Sequence, residues 1–275
     1  MQAIALYRFS YPALGGFQIT HDTVQDRIRF FYSPARLEER FKLFEHVALP
    51  CLRAQTDPRF SLIIVIGDSL PRPYHDRLRD RVSYIPQIRI ESHAPQQHRN
   101  IMKKVLARAR GDRDAPCLQF RFDDYDAIGT DFIATLRAEA TASADLTSRY
   151  QAIAFDWHRG IALQCGPDGI GVAQVHHRLN VAALGVHIRA GSRLTIMNFV
   201  HHRLDRFMPV VSFADSPMWI ETHNRFNDSA GRGPGPKGFR PVYLDDGFTL
   251  QDRFGVNLAN LKAAFAPPAD VRDTA

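Results

Sequence analysis

Five consecutive apolar residues, Leu62 to Ile66, closed by Gly67-Asp68-Ser69, constrain this chain more than any other stretch. A run so short, so rich in β-branched residues and so sharply ended by turn formers reads as a strand buried on both faces. A strand with no polar face needs cover on both sides, which calls for helices above and below a sheet. The flanking segments supply that cover. Ala3 to Phe9 alternates as a first strand and runs into SYPALGGFQ, a loop whose Gly15-Gly16 pair permits tight turns. Residues 35–54 place Leu37, Phe41, Phe44, Val47 and Leu52 at helical spacing, with Pro50 set to kink or end the helix. Residues 73–80 suggest a short polar helix and Val82 to Ile90 another strand. At 100–110, Ile101, Val105 and Leu106 face one way while Lys103, Lys104 and Arg108 face another. Leu118-Gln119-Phe120 then forms a fourth strand. This alternation predicts an α/β fold with a mostly parallel sheet flanked by helices. Residues 131–140 continue as a helix, and 150–212 break into short strand-like pieces that predict antiparallel additions to the sheet. Residues 230–239, AGRGPGPKGF, read as a loop. No linker interrupts the pattern, so residues 1–265 are expected to form a single domain and 266–275 a tail.

The fourth strand leads into RFDDYDAI, residues 121–128, where Asp123, Asp124 and Asp126 fall within four residues. Carboxylates this close repel one another unless a divalent cation, a basic side chain or water relieves them. Their place matters, because open α/β sheets bind ligands at the carboxyl ends of their strands.

The formal charge is +6 and the pI about 9.4, with arginine predominating over lysine. Such a balance suits an anionic partner, and guanidinium forks suit phosphate oxygens. No run approaches the length of a membrane span, and the N-terminus lacks the pattern of a secretory signal. Cys51, Cys117 and Cys165 fit neither a disulfide framework nor a zinc spacing, so a reducing cytoplasm is expected. VHHRLN at 175–180 and VHHRLD at 200–205 nearly repeat. Adjacent histidines on a strand point to opposite faces, so neither pair chelates one metal; coincidence or paired strands is the expectation.

The ordered set of YRFSY, an LFE helix, LRAQTDPRF before a buried strand, RFDDYDAI and a late PMWIETHNRFND resembles a bacterial family of rhamnosyltransferases. That family is similar to the GT-A glycosyltransferases, and the resemblance runs over most of residues 1–230. It implies a GT-A-like, Rossmann-type sheet and a nucleotide-diphosphate sugar donor, with rhamnose a candidate sugar. It also implies a glycan or lipid-linked acceptor and a divalent metal, Mn²⁺ or Mg²⁺, on the diphosphate. On this resemblance Asp123 and Asp124 meet the donor, and Asp124, Asp126 and His223 hold the metal. Asn224, Arg225 and Asn227 surround His223 with hydrogen-bond donors. The central position of the acidic motif departs from the family's pattern: Tyr125 stands where an aspartate is usual, which puts the metal in question and leaves positive side chains as another way to carry the diphosphate.

The same resemblance puts Arg8, Tyr11, Asp68 and Arg99 in the donor pocket, with Arg99 at the N-terminus of a helix that favours phosphate. Asp215, followed by Ser-Pro, reads as the boundary of a helix with Pro217 in its first turn. The resemblance makes Asp215 the first general base and Glu221 the second, and Trp219 is expected in the core. The reaction expected is an inverting transfer to an acceptor hydroxyl, with peripheral contact at the inner face of the cytoplasmic membrane. A non-catalytic relative that binds glycan or nucleotide is the alternative. A nucleic-acid binder is disfavoured, because no helix-turn-helix, zinc module or RNA-binding aromatic signature appears.

Overall fold

The computed structural model describes residues 1–15, 20–224, 226 and 238–267. Gly16, Arg225, Asn227, most of the 230–239 loop and most of the expected tail lie outside them. Strand β1 (Gln2–Arg8) is followed by helices α1 (Val24–Phe31), α2 (Pro34–Leu43) and α3 (Leu49–Arg53), then β2 (Ser61–Gly67), α4 (Arg72–Val82), β3 (Ile88–His93), α5 (His98–Ala109) and β4 (Cys117–Asp123). The expected alternation is therefore present over this half of the chain. Between α2 and α3 the helix widens into a π turn, Phe44–Ala48. Pro50 has no N–H to bond back to the preceding turn, and the wider turn lets the helix continue past it rather than stop.

Next come β5 (Ala127–Ile128), α6 (Phe132–Ala142), α7 (Ala144–Arg149), β6 (Ala152–Trp157), β7 (Arg159–Gly166), β8 (Gly169–His176), β9 (Leu184–Ile188), β10 (Val210–Phe213), β11 (Trp219–His223), β12 (Arg240–Pro241), α8 (Leu244–Phe254) and α9 (Leu258–Phe265). The main sheet has seven strands in the order β10-β6-β9-β4-β1-β2-β3. It is parallel throughout except for β9, which runs antiparallel to both β4 and β6. The other late strands build a second sheet, β12-β8-β7-β11-β5, instead of extending the first. The expectation of antiparallel additions thus holds for β9 and for the β7–β8 hairpin, while β10 pairs in parallel with β6 and β11 runs parallel to β7 and antiparallel to β5.

Alternation along β1 and β4 divides the core. Ala3, Ala5, Tyr7, Leu118, Phe120 and Phe122 face α2, α3, α6 and the second sheet. Ile4, Leu6 and Cys117 face α5 and the segment around Ile196–Leu204. Leu62 to Ile66 are buried on both sides, as their composition requires. The duplicated histidine motifs end up in different settings. His176 closes β8, whereas His201–Arg206 forms a 3₁₀ helix, so the two are not paired strands.

One expectation is corrected. Residues 219–223 form a strand and not a helix: Trp219 pairs with Gly160 on β7 and Ile128 on β5, and the indole Nε1 donates to the Trp157 carbonyl at 2.8 Å. The core position expected for Trp219 is met by the strand, since it is fully buried. The sequence reading also passed over α1, α8 and α9, although Thr23 and Asn257 carry N-cap signals, their side chains accepting from the Asp26 and Asn260 amides. All three cysteines are buried and unpaired. Among the described residues no helix is long and apolar enough to cross a membrane.

Candidate active site

The parallel register sets Arg8 beside Asp123 as the last pair of the two strands, at the carboxyl edge of the sheet. Their side chains meet, with Arg8 Nη2 donating to Asp123 Oδ1 at 3.0 Å. The turn that follows is tight: the Asp126 amide donates to the Asp123 carbonyl at 3.1 Å. It directs the three acids to three different environments.

Asp124 turns inward. Its Oδ2 accepts from the Ser10 amide at 2.9 Å and the Ser10 hydroxyl at 3.3 Å, and its Oδ1 stands 3.4 Å from Arg40 Nη1. Arg40 is wholly buried; its guanidinium stacks on the Tyr125 ring at 4.2 Å and donates to the Phe226 carbonyl at 2.6 Å. Ser10 adopts φ +46°, uncommon for a residue with a side chain, and Arg36 also donates to its hydroxyl at 3.0 Å. Asp124 and the two arginines therefore hold a strained turn after β1 against the turn after β4. Tyr125 is pinned from the other side as well, since Thr222 Oγ1 donates to its carbonyl at 2.8 Å.

Asp126 is buried, and its Oδ1 has no partner. Burial, with the charges of Asp123 and Glu221 adding to it, raises its carboxyl well above the usual range. Glu221 arrives because Ile220 pairs with Ala127, which sets the next residue of β11 opposite Asp126. Its Oε2 accepts from Asn180 at 3.2 Å, and its Oε1 lies 3.9 Å from His223 Nε2. Burial lowers the His223 pKa against the pull of Glu221. Asp123, Asp126, Glu221 and His223 thus share one acidic basin. Among the described residues, however, no three His, Cys, Asp or Glu side chains stand together as ligands for a metal ion. Asp124, in particular, belongs to Arg40 and Ser10.

Beside this basin, on the α5 face of the sheet, lies a basic one. Arg121 shares that face with Arg8, by the two-residue period of the strands, and its Nη2 lies 3.0 Å from His201 Nδ1. Burial, with the charges of Arg8, Arg121 and Arg99, drives the His98 pKa down to about 2. Burial and Arg121 drive His201 to about 3, and Arg121 itself falls to about 10. Arg99, exposed in the first turn of α5, completes the group. Of these residues the sequence reading found Arg8 and Arg99. It passed over His98, Arg121 and His201, although Arg121 is two residues before Asp123 and so had to share its face.

The remaining expected residues make other contacts. Tyr11 is buried, and its hydroxyl donates to the Ala94 carbonyl at 2.7 Å and accepts from the Gln96 amide at 3.2 Å, which occupies it in fastening the loop before α5. Asp68 is exposed just past β2, where its amide donates to the His93 carbonyl. Asp215 is exposed before β11, at the opposite end of that strand from His223, and its main-chain carbonyl accepts from Arg159 at 2.8 Å.

The family described as "Putative rhamnosyl transferase" matches residues 2–235. No curated protein matches the sequence. Among solved structures, the fold is similar to TarS 1-349 of S. aureus in complex with UDP-GlcNAc, at 12% identity and a TM-score of 0.42, covering 83% of this chain and 60% of that one. The UDP complex of the same protein gives 13% identity and a TM-score of 0.41, covering 81% and 61%. The chain thus spans about three fifths of the length of these relatives.

Proposed function

The chain belongs to the rhamnosyl transferase family, and on that premise we propose that it transfers a sugar from a nucleotide-diphosphate donor to an acceptor hydroxyl. The observation that carries this reading is the pairing of a basic and an acidic basin at the carboxyl edge of β1 and β4, joined by the Arg8–Asp123 pair. A sugar nucleotide has the matching halves: an anionic diphosphate and a neutral ring bearing hydroxyls that carboxylates can bind.

In this reading Asp123 and Asp126 face the sugar and ribose hydroxyls. Glu221, held by Asn180, takes the proton of the acceptor hydroxyl as its oxygen attacks the anomeric carbon. The bond from that carbon to the diphosphate oxygen breaks, and its electron pair leaves with the nucleoside diphosphate. Attack opposite to the leaving group inverts the anomeric centre. Glu221 takes precedence over Asp215 as base because it stands opposite Asp126, whereas Asp215 lies at the far end of β11. Rhamnose is the first donor sugar to try, on the family's description. The acceptor is a glycan or a lipid-linked glycan. Exposed Phe207, with exposed Arg203 and Arg206 beside it, favours the lipid-linked form presented at a membrane face.

Saturation-transfer NMR against a panel of uridine-, thymidine- and guanosine-diphosphate sugars tests the reading. One nucleotide sugar should receive saturation on both its base and its sugar protons. If none does, the transferase reading fails. Once the donor is known, Glu221→Gln should keep donor binding and lose roughly 10²- to 10⁴-fold in turnover.

A further inference from the structure

The acids of the DDYD turn are committed in a way that bears on how the donor is held. Asp124 compensates a fully buried guanidinium, so turning it toward a cation would take a counter-charge away from Arg40 in the interior. Asp123 is shared with Arg8. Tyr125, at the center of the motif, is gripped between the Arg40 guanidinium and Thr222 and offers no carboxylate. The carboxylate with an unpartnered oxygen, Asp126, has no two further ligands arranged with it among the described residues. This donor set does not fit a divalent ion that must carry two phosphates.

The basic side fits better. Arg8 and Arg121 share one face of β1 and β4 with the carboxylate of Asp123, and Arg99, on the first turn of α5, stands near enough for its charge to act on both His98 and Arg121. His98 and His201 stand among them, with His201 Nδ1 3.0 Å from Arg121 Nη2. Arginine forks reach phosphate oxygens two at a time, and at this half-buried edge their charge is poorly screened.

We propose that the donor's diphosphate is held by this cradle of Arg8, Arg99 and Arg121, with His98 and His201 behind them, and needs no divalent cation. The proposal rests on the transferase reading above and assigns the element that neutralises its leaving group.

Titration calorimetry of the intact chain with uridine, thymidine and guanosine diphosphates, in a metal chelator and then with added Mn²⁺, tests it. The diphosphate that binds should do so with a Kd that agrees within about twofold between the two conditions. Arg121→Met, and separately Arg99→Glu on the exposed first turn of α5, should each weaken it about tenfold or more, in line with the loss of a charge-assisted phosphate contact. Binding that falls tenfold in chelator and returns with Mn²⁺ would overturn this inference and leave the transferase reading standing. Unchanged affinity in both variants would overturn it too. No binding of any diphosphate under either condition would instead remove the transferase reading on which the inference rests.

Discussion

Arg40 and Asp124 are the residues on which the site's frame depends most. Each is buried, and each charge offsets the other's burial. Arg40→Ala should cost about 3–5 kcal/mol in a urea unfolding titration, because it removes a buried counter-charge from the Asp124 carboxylate and the guanidinium stacked on Tyr125. The double replacement Arg40→Met with Asp124→Leu should recover a large part of that loss, since two apolar side chains of similar volume leave no orphaned charge. In the sequence the three aspartates of RFDDYDAI look equivalent. Their different fates depend on Arg40, eighty-odd positions earlier, and on Ser10, which no local pattern connects to them. The reverse holds for Arg121. Its place beside Asp123 follows from the strand period alone, and a stricter use of that period would have found it.

At the scale of elements, β11 shows where local signals and tertiary context part. Asp-Ser-Pro before an amphipathic stretch is a sound helix-start pattern. The strand prevails because the indole of Trp219 has a place only against β7: a Cβ built on Gly160 would lie 2.2 Å from the ring. Gly160 is therefore a packing requirement, and Gly160→Val should displace the indole. The expected result is a loss of about 1–3 kcal/mol with a red-shifted tryptophan emission, measured by denaturation followed by fluorescence. The strand also brings Glu221 opposite Asp126, so the same choice of element creates the acidic basin. Had 219–223 been helical, Glu221 would share no register with β5. The C-terminal helices have a similar dependence. At the end of α8 Gly255 takes φ +69°, a left-handed cap, and a Cβ built there would lie 3.2 Å from the Pro50 carbonyl oxygen.

For the molecule as a whole, the histidines whose pKa burial drives furthest down, His98, His187 and His201, contribute most among the histidines to its response to acid. Burial takes His187 to about 4, with Arg110 adding to the effect; His98 and His201 fall to about 2 and about 3. Each has a folded pKa below its unfolded value near 6.5, so between those values the unfolded chain binds the proton that the folded chain refuses. The stability these histidines contribute is fully present above about pH 6.5 and is lost as the pH drops toward 4, while the raised carboxyl of Asp126 works in the opposite direction. The slope contributed is up to about 1.4 kcal/mol per pH unit for each histidine. Urea midpoints measured from pH 7 to pH 4.5 should decline steeply, and His187→Gln should flatten the curve. Asp57, whose carboxyl the Arg59 hydrogen bonds hold far below the usual carboxylate range with Arg137 assisting, adds an acid-sensitive contribution only at still lower pH.

By itself the sequence determined the architecture of the first half, from the alternation of β1 through β4, and the edge of the sheet at which chemistry belongs. Those features are written in periods of two and of about 3.6 residues, which depend only on near neighbours. It also marked the acidic turn, the helix start that carries Arg99, and the burial of Trp219. What only the tertiary structure decided is which charges meet. The split of the late strands into a second sheet, the capture of Asp124 by Arg40, the arrival of Glu221 opposite Asp126 and the gathering of His98, Arg121 and His201 around Arg8 all join segments far apart in the chain. Charge pairing in an interior depends on distance and desolvation, and neither is a property of any local stretch of sequence.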